Sequence, residues 1–386
     1  MTMPAQVSSK KLYRIGDKMT KNSFKAFLER KNIEISAKRY GIDALSAMAQ
    51  GLFCSLLIGT IINTIGTQFH IGFLTDPVWI MKSGENAIPY TVGGLAVAMT
   101  GPAMAIAIGY ALKSPNLVLF SLAAVGFAAN GLGGAGGPLA VLIIAIIAAE
   151  FGKAVAGETR VDILVVPLVT IGVGVALSAW WAPGLGAAAM KVGNLIMWAT
   201  ELRPFMMGIL VSVIVGMALT LPISSAAICA AFGLVGLAGG AAVAGCCAQM
   251  IGFAVMSFPE NKWGGLISQG IGTSMLQMGN IVKNPRIWIA PTLTSAITGP
   301  IATCLFKLQM NGAPVSSGMG TCGLVGQIGV YSGWVADVAS GAKEAITGMD
   351  WLGLILICFV LPAVLAPLIN MGCRKLGWVK DGDLKL

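Results

Sequence analysis

Residues 139–149 read LAVLIIAIIAA, and residues 209–221 read ILVSVIVGMALTL. Neither stretch alternates polar and apolar residues, which argues against the short alternating strands of a membrane β-barrel. A hydrocarbon core roughly 30 Å thick needs about 20 apolar residues in a helix that rises 1.5 Å per residue. These two stretches and their apolar neighbours therefore predict membrane-spanning α-helices.

The rest of the chain has the same character. Its 386 residues are 56% hydrophobic and only 11% charged, a balance that a soluble domain does not have. We predict an all-α, polytopic membrane protein with about ten transmembrane helices. The predicted spans are 44–66, 91–112, 115–133, 134–153, 161–182, 203–221, 224–245, 246–258, 286–306 and 351–373.

The positive charge lies in the two tails. Residues 1–40 hold ten Lys or Arg against three Asp or Glu, and residues 374–386 are also basic. Because cytoplasmic segments carry an excess of Lys and Arg, both tails are expected in the cytoplasm, with an even number of spans. Phe24, Phe27 and Leu28 would form the apolar face of a basic helix on the inner leaflet. A plain topology signal is the alternative, and nucleic-acid binding is not expected.

Three apolar stretches are broken or amphipathic. Residues 185–200, with Trp180 and Trp181 just before them and Trp198 near their end, predict a separate amphipathic helix along the membrane surface. Residues 264–282 and 312–333 are rich in Gly, Ser, Thr and Gln and predict two re-entrant hairpins. Irregular backbone at membrane depth is tolerated only where it is buried in protein or lines a cavity, so the hairpins point to a solute path.

Glycine clusters and a proline interrupt the apolar runs. The clusters GLGGAGG at 131–137 and GMGTCG at 318–323 satisfy GxGxxG, but they lack the βαβ context of a dinucleotide site. They indicate either close helix packing or broken helices whose free N–H groups meet a polar ligand, with Asn130 and Thr321 as contributors. Pro222 predicts a kink, after which Ser224 and Ser225 contact either a ligand or their own helix.

Glu260 is the ionisable residue that we single out, because it directly precedes the first predicted hairpin. An acid inside a membrane protein suggests function, and the alternative is a surface pair with Lys262 in an aqueous loop. No HExxH, GxSxG or phosphate-loop motif is present, so no catalytic residue is predicted. The eight cysteines have no CxxC spacing, and neither a metal nor a cofactor is expected.

Taken together, these motifs make residues 42–373 resemble the membrane component, EIIC, of bacterial sugar phosphotransferase systems, in the branch of the perfringolysin regulator-like proteins. The resemblance rests on GGAGGP at 133–138, RPF at 203–205, LPISSAA at 221–227 and SGMGT at 317–321 with GQIG at 326–329. It implies ten spans, two re-entrant hairpins, an amphipathic connecting helix and a homodimer formed through the N-terminal half. Where related transporters carry a sugar-binding glutamate in a GITEP-type motif, this chain has FPEN at 258–261.

The resemblance also implies how the chain is divided. We expect a basic cytoplasmic segment (1–40), a scaffold and dimer half (41–200), a substrate-binding half (201–373) and a cytoplasmic tail (374–386). The expected function is transport of a small polar solute, a sugar or related metabolite, across a bacterial cell membrane, with separate cytoplasmic phosphotransferase components as partners. The alternative is a membrane sensor that binds a small ligand and signals to a cytoplasmic partner. The expected lining residues are Ser224, Ser225, Glu260, Asn261, Asn280, Gly318, Thr321 and Asn130.

Overall fold

The computed structural model describes residues 25–83 and 86–386, and this part of the chain is almost entirely helical. A two-stranded antiparallel sheet, β1 (Trp79–Ser83) and β2 (Asn86–Tyr90), pairs Trp79 with Tyr90. The all-α prediction is therefore confirmed at the level of fold class. Residues 1–24, with Phe24 of the predicted basic helix, lie outside the described residues, whereas Phe27 and Leu28 belong to a helical stretch at 25–30.

The N-terminal half contains a long first helix, a bent pair and a helical hairpin. The first helix contains two π-helical turns, and a helical turn at Gly72–Thr75 precedes the sheet. The bent pair, α2 and α3, changes direction by 51°. The helices of this half are α1 (Arg39–Gln68), α2 (Val92–Ala98), α3 (Thr100–Ala111), α4 (Asn116–Gly133), α5 (Gly137–Val155) and α6 (Asp162–Thr200).

The C-terminal half alternates long helices with short, broken ones. Its helices are α7 (Pro204–Thr220), α8 (Ser225–Ala231), α9 (Gly236–Met256), α10 (Phe258–Ile267), α11 (Met278–Lys283), α12 (Pro285–Leu305), α13 (Val325–Ala339) and α14 (Gly348–Lys375). Shorter turns connect them at Ser268–Gly272, Ser274–Gln277, Pro314–Gly318 and Cys322–Leu324.

Six continuous helical stretches of the described chain are long and apolar enough to cross a membrane, or seven when α2 and α3 count as one span. One of the six, Asn116–Val155, doubles back on itself. Gly134 has a φ of 50°, and a Cβ on Gly152 would lie 2.9 Å from Val118, so α5 returns alongside α4. This stretch therefore contains two antiparallel helices, in agreement with the separate predictions 115–133 and 134–153.

Two of the ten predicted spans are not helices of their own. The predictions 224–245 and 246–258 divide the chain at 245, but the structure breaks it at 232–235 and continues α9 from Gly236 to Met256. Gly233 and Gly236 adopt positive φ values of 61° and 66°, which glycine reaches without steric cost. Cys246 and Cys247, at the predicted division, lie inside α9 and do not interrupt it. The number of complete crossings remains a prediction.

The predicted surface helix at 185–200 is not a separate element either. It is the continuation of α6, which runs unbroken through Pro183 for 39 residues, about 58 Å. Proline removes one hydrogen bond of the helix but need not end it when packing holds both sides. Ala189, Gly193 and Ile196 form the buried face of this extension, with Gly193 against the ring of Phe232.

Small residues bring the helices of the C-terminal half together. A Cβ on Gly245 of α9 would lie 1.9 Å from the carbonyl oxygen of Ser212 in α7, and one on Gly240 would lie 1.8 Å from that of Leu308. Gly299 of α12 lies equally close to Gly208. Most of these glycines thus act as predicted, by letting backbones approach in a tightly packed bundle.

Both ends of the described chain lie at one end of the bundle, which we call the termini end. Residues 30–39 contact the ends of α3 and α5, since Arg39 donates to the carbonyl of Leu112 and Lys153 donates to that of Asn32 at 3.0 Å. A Cβ on Gly41 at the start of α1 would lie 3.6 Å from Val282, and the segment 376–386 lies against the same region, where Asn284 donates to the carbonyl of Trp378. An even number of crossings is consistent with this placement.

Candidate functional site

Four interruptions of the helices meet in the interior. They are the α4–α5 turn, the break after α7, the tip of the segment 258–283 (hairpin 1) and the tip of the segment 312–339 (hairpin 2). The backbone N–H of Ser224 donates to the carbonyl of Ala135 at 2.9 Å, joining the first two. The hydroxyl of Ser225 donates to Gly318 at 2.7 Å, and that of Thr321 donates to the carbonyl of Gly270.

The sequence explains why each segment breaks at this point. Pro222 lacks an N–H group and follows the last residue that continues α7. Gly320 and Gly323 have φ values of 54° and 52°, so hairpin 2 turns where left-handed backbone is available. Gly318 is required for a different reason, because a Cβ there would lie 2.6 Å from the backbone of Ser225.

These four segments enclose a small cavity of about 40 Å³, with Pro138, Ile223, Thr273 and Met319 among its walls. A cavity needs about 10–15 Å³ of such space to hold one water molecule, so this one has room for a few at most. The small cavity alone is therefore too small to hold a sugar.

A larger cavity of about 620 Å³ adjoins it, and the two share Leu56, Ser224, Ala226 and Met319. Ligand pockets in proteins usually measure about 300–1,000 Å³, so this one has the size for a small solute. We call it the large cavity.

One wall of the large cavity is a polar stripe on α1, and hairpin 2 forms the other. Within the described residues, its lining includes hydroxyl and amide side chains and no charged side chain. Uncharged donors and acceptors beside apolar surface suit a neutral, hydroxyl-rich solute better than an ion. Its polar members are Thr60, Asn63, Thr64, Thr67, Gln68, Ser224, Ser316 and Ser332.

The predicted lining residues fall into three places. Ser224 lines both cavities and Ser225 the small one. Behind these walls, Gly318 accepts from Ser225, and Thr321 joins hairpin 2 to Gly270 of hairpin 1. Asn130 lines neither cavity. It packs beside Gly101 and Gly137 at the α4–α5 turn.

Glu260, Asn261 and Asn280 lie at the base of hairpin 1, at the termini end. Glu260 accepts from Arg374 at 2.8 Å and from the backbone N–H of Leu384 at 2.9 Å. Asn261 and Asn280 donate to carbonyl groups of residues 384 and 385 at 2.7 and 2.8 Å. These three side chains therefore bind the C-terminal segment in this structure, and neither cavity includes them.

A pattern of polar residues in the sequence of α1 indicates the large cavity. Thr60, Asn63, Thr64 and Thr67 follow the spacing i, i+3, i+4, i+7, which places them on one face of α1. Polar residues on one face of an apolar span point to a cavity or a partner rather than to lipid. The hairpins and the glycine clusters do not by themselves indicate this stripe.

Among the described residues, no group of three or more His, Cys, Asp or Glu side chains is placed to hold a metal ion. Six of the eight cysteines, Cys246 and Cys247 among them, are buried, and Gln327 donates to the sulfur of Cys247.

Comparison with protein-family models gives one finding. The model described as "Phosphotransferase system, EIIC" matches residues 42–386, nearly the whole chain beyond the basic N-terminal segment. Searches of curated proteins and of solved structures give no match. The matched range includes α1, both hairpins and the C-terminal segment that contacts Glu260.

Proposed function

Because the chain belongs to the phosphotransferase system EIIC family of membrane permease components, we propose that it carries a neutral sugar or related polyol through the large cavity. The family works with separate cytoplasmic phosphotransferase components, so any phosphoryl transfer would be done by those partners. The observation that carries the proposal is a cavity of about 620 Å³ whose mainly apolar lining includes hydroxyl and amide groups and, within the described residues, no charged side chain.

The interrupted helices around the large cavity favour passage of a solute rather than storage of a bound one. The large cavity meets the small one where four interrupted helices converge, and such interruptions are typical of transporter sites. A modest movement of the hairpin 2 tip would join the two spaces, since Met319 and Ser224 are shared walls.

We place the protein in a bacterial cell membrane with the termini end in the cytoplasm. Lys113, Arg160, Lys262 and Lys283 lie at that end, while the opposite end carries Asp337 of α13 and, in the loop before α14, Lys343 and Glu344. This asymmetry follows the positive-inside tendency. A homodimer through the N-terminal half, and the division at residues 40, 200 and 373, also remain proposals.

The test is binding and uptake of a panel of radiolabelled sugars by purified protein in detergent and in proteoliposomes. Thr64→Val removes one hydroxyl from the cavity wall without changing its shape, and should weaken sugar binding about three- to tenfold. Thr298→Val is the matched control, because Thr298 is buried in α12 and bonds only within its own helix.

Three results would count against the proposal. Equal sugar affinity in both variants would mean that the solute binds elsewhere. If none of the sugars binds, the solute is not a sugar. Saturable binding without uptake would favour a membrane sensor over a permease.

A further inference from the structure

The segment 376–386 is docked into the bundle rather than extended into solvent. The Leu384 side chain is 0% exposed and that of Val379 is 3% exposed, and both join the apolar cluster that contains Met275 and Met278 of hairpin 1. Buried apolar anchors on a terminal segment show that the fold provides a place for it.

Side chains of hairpin 1 recognise the main chain of this segment. The carbonyl of Leu384 accepts from Asn261 at 2.7 Å and from Gln277 at 2.9 Å, while its N–H donates to Glu260 at 2.9 Å. Asn280 donates to the carbonyl of Lys385, and the N–H of Leu386 donates to Asn261. We call the four side chains Glu260, Asn261, Gln277 and Asn280 the tail cleft.

This pattern describes a binding site for a peptide segment that contains a turn at 381–384. Its main-chain groups bond to side chains of hairpin 1, and one apolar side chain fills a pocket. Losing the segment would leave buried amide groups without partners, which costs free energy unless water or a ligand replaces them.

Behind the tail cleft, polar side chains continue into the interior. Gln277 also donates to Gln269 at 2.9 Å, and Gln269 donates to Ser257 at 2.9 Å. One turn deeper, the hydroxyls of Ser274 and Thr220 share a hydrogen bond of 2.7 Å beside the small cavity. All five side chains are 0% exposed.

Buried polar groups in a lipid-embedded bundle are costly and tend to mark solute or ion paths. This file of side chains, which we call the polar track, connects the neighbourhood of the small cavity with the termini end. At that end Leu384 and its hydrogen bonds cover it.

We propose that residues 376–386 are an internal gate that closes the polar track at the termini end, and that release of this segment from the tail cleft opens the track to water. The direction of solute movement through the gate rests on the proposed function, whereas closure of the track does not.

The experiment measures two things in full-length protein carrying Ser274→Cys as a reporter. Hydrogen exchange of the Leu384 and Leu386 amides reports docking of the segment. The second measurement is the reaction of the reporter thiol with a small cationic methanethiosulfonate, in membranes whose face at the termini end is accessible to the reagent. The masses of the peptides identify the modified cysteine, and the rate of its modification reports access to the track.

Leu384→Asp places an ionised group where the structure has a dry pocket, and Leu376→Asp is its matched control, since Leu376 is 64% exposed. In Leu384→Asp, both amide exchange and modification of the reporter thiol should become faster by about tenfold or more, because the carboxylate cannot stay buried without a partner. Leu376→Asp should change neither rate.

Asn261→Ala serves as a second release variant should Leu384→Asp fail to fold, since it removes two hydrogen bonds to the segment. Faster exchange with unchanged modification of the reporter thiol would overturn the gate and leave only a structural clamp. Equal acceleration by Leu376→Asp would also overturn it. If the track opens as expected but no sugar is taken up by any variant, the gate stands and the proposed function fails.

Discussion

At the scale of single residues, Glu260 has different partners from those that the sequence suggests. Its position just before the predicted hairpin at 264–282 suggests a carboxylate that accepts hydrogen bonds from a solute, whereas the structure pairs it with Arg374 and the N–H of Leu384. Both partners come from more than a hundred residues away. A local motif therefore identifies an acid of interest but not the group that it binds.

Glu260→Gln should loosen the C-terminal segment. The amide offers only one acceptor atom where the carboxylate offers two, and it cannot pair as a charge with Arg374. Charged hydrogen bonds contribute about 1–2 kcal/mol more than neutral ones, so the Leu384 amide should exchange about tenfold faster. Hydrogen exchange with mass spectrometry measures this.

Asp381→Asn is the control for Glu260→Gln, because Asp381 pairs with the same Arg374 while its side chain is 95% exposed. An exposed ion pair contributes little to stability, so the exchange rate of the Leu384 amide should hardly change. If Glu260→Gln weakens sugar binding tenfold while the segment stays protected, Glu260 is a solute ligand after all.

Glu158 makes docking of the N-terminal segment depend on pH. The Lys31 ammonium donates to this carboxyl and holds its pKa below the ordinary value of 4.5, with Arg30 adding to the effect. A lowered pKa means that the stabilisation is present at neutral pH. It is lost as the pH falls below the ordinary value and through the lowered pKa.

We therefore expect the protection of the Ile33 amide to decrease between pH 7 and pH 3. Glu158→Gln should reproduce the loss at pH 7, by about two- to threefold because the Glu158 side chain is 42% exposed. Glu201→Gln, an exposed acid after α6, is the control. Protection that does not change with pH would show that Glu158 does not hold the segment.

At the scale of elements, glycines determine how closely α7, α9 and α12 approach. Gly245→Ala would force α9 away from the Ser212 carbonyl of α7, because the new methyl carbon would lie 1.9 Å from that oxygen. Such overpacking usually costs about 1–3 kcal/mol, so thermal unfolding in detergent should move several degrees lower.

Gly172→Ala is the matched control for Gly245→Ala, since it adds the same methyl group to a helical glycine with no atom within 4 Å. It should leave the melting temperature unchanged or raise it slightly, because alanine favours helix by up to about 1 kcal/mol. Equal losses in the two variants would mean that helix flexibility, not close packing, explains the glycines.

At the scale of the whole molecule, both ends of the described chain share one end of the bundle, and the loop before α14 lies at the other. Cysteines placed at Lys113 and Lys380 should react with an impermeant maleimide from the cytoplasmic face. One placed at Glu344 should react from the outside. Reaction of positions 113 and 380 from opposite faces would contradict the topology.

The homodimer is a second prediction at this scale. The N-terminal half presents large apolar side chains, among them Phe120, Phe127 and Phe151, that are 66%, 58% and 53% exposed in the single chain. Either lipid or a second copy must cover them. Native mass determination in mild detergent should give a dimer, and a uniform monomer that binds sugar would contradict it.

The sequence by itself determined the fold class and the membrane environment. Hydrophobicity and chain length are local properties, so runs such as 139–149 specify membrane helices wherever they occur. Glycine and proline act on their own backbone, and for that reason the breaks at 134 and 222 could also be predicted.

Only the tertiary structure decided which polar groups meet. The stripe on α1 faces hairpin 2 across the large cavity, and the tail cleft holds a segment distant in sequence. The separate helix at 185–200 was wrong because packing holds α6 together on both sides of Pro183. The division at 245 was wrong for a local reason, since the chain breaks at the glycines of 233–236 instead. Hydrogen bonds and close packing pair residues that are far apart along the chain, and no local pattern of hydrophobicity encodes those pairings.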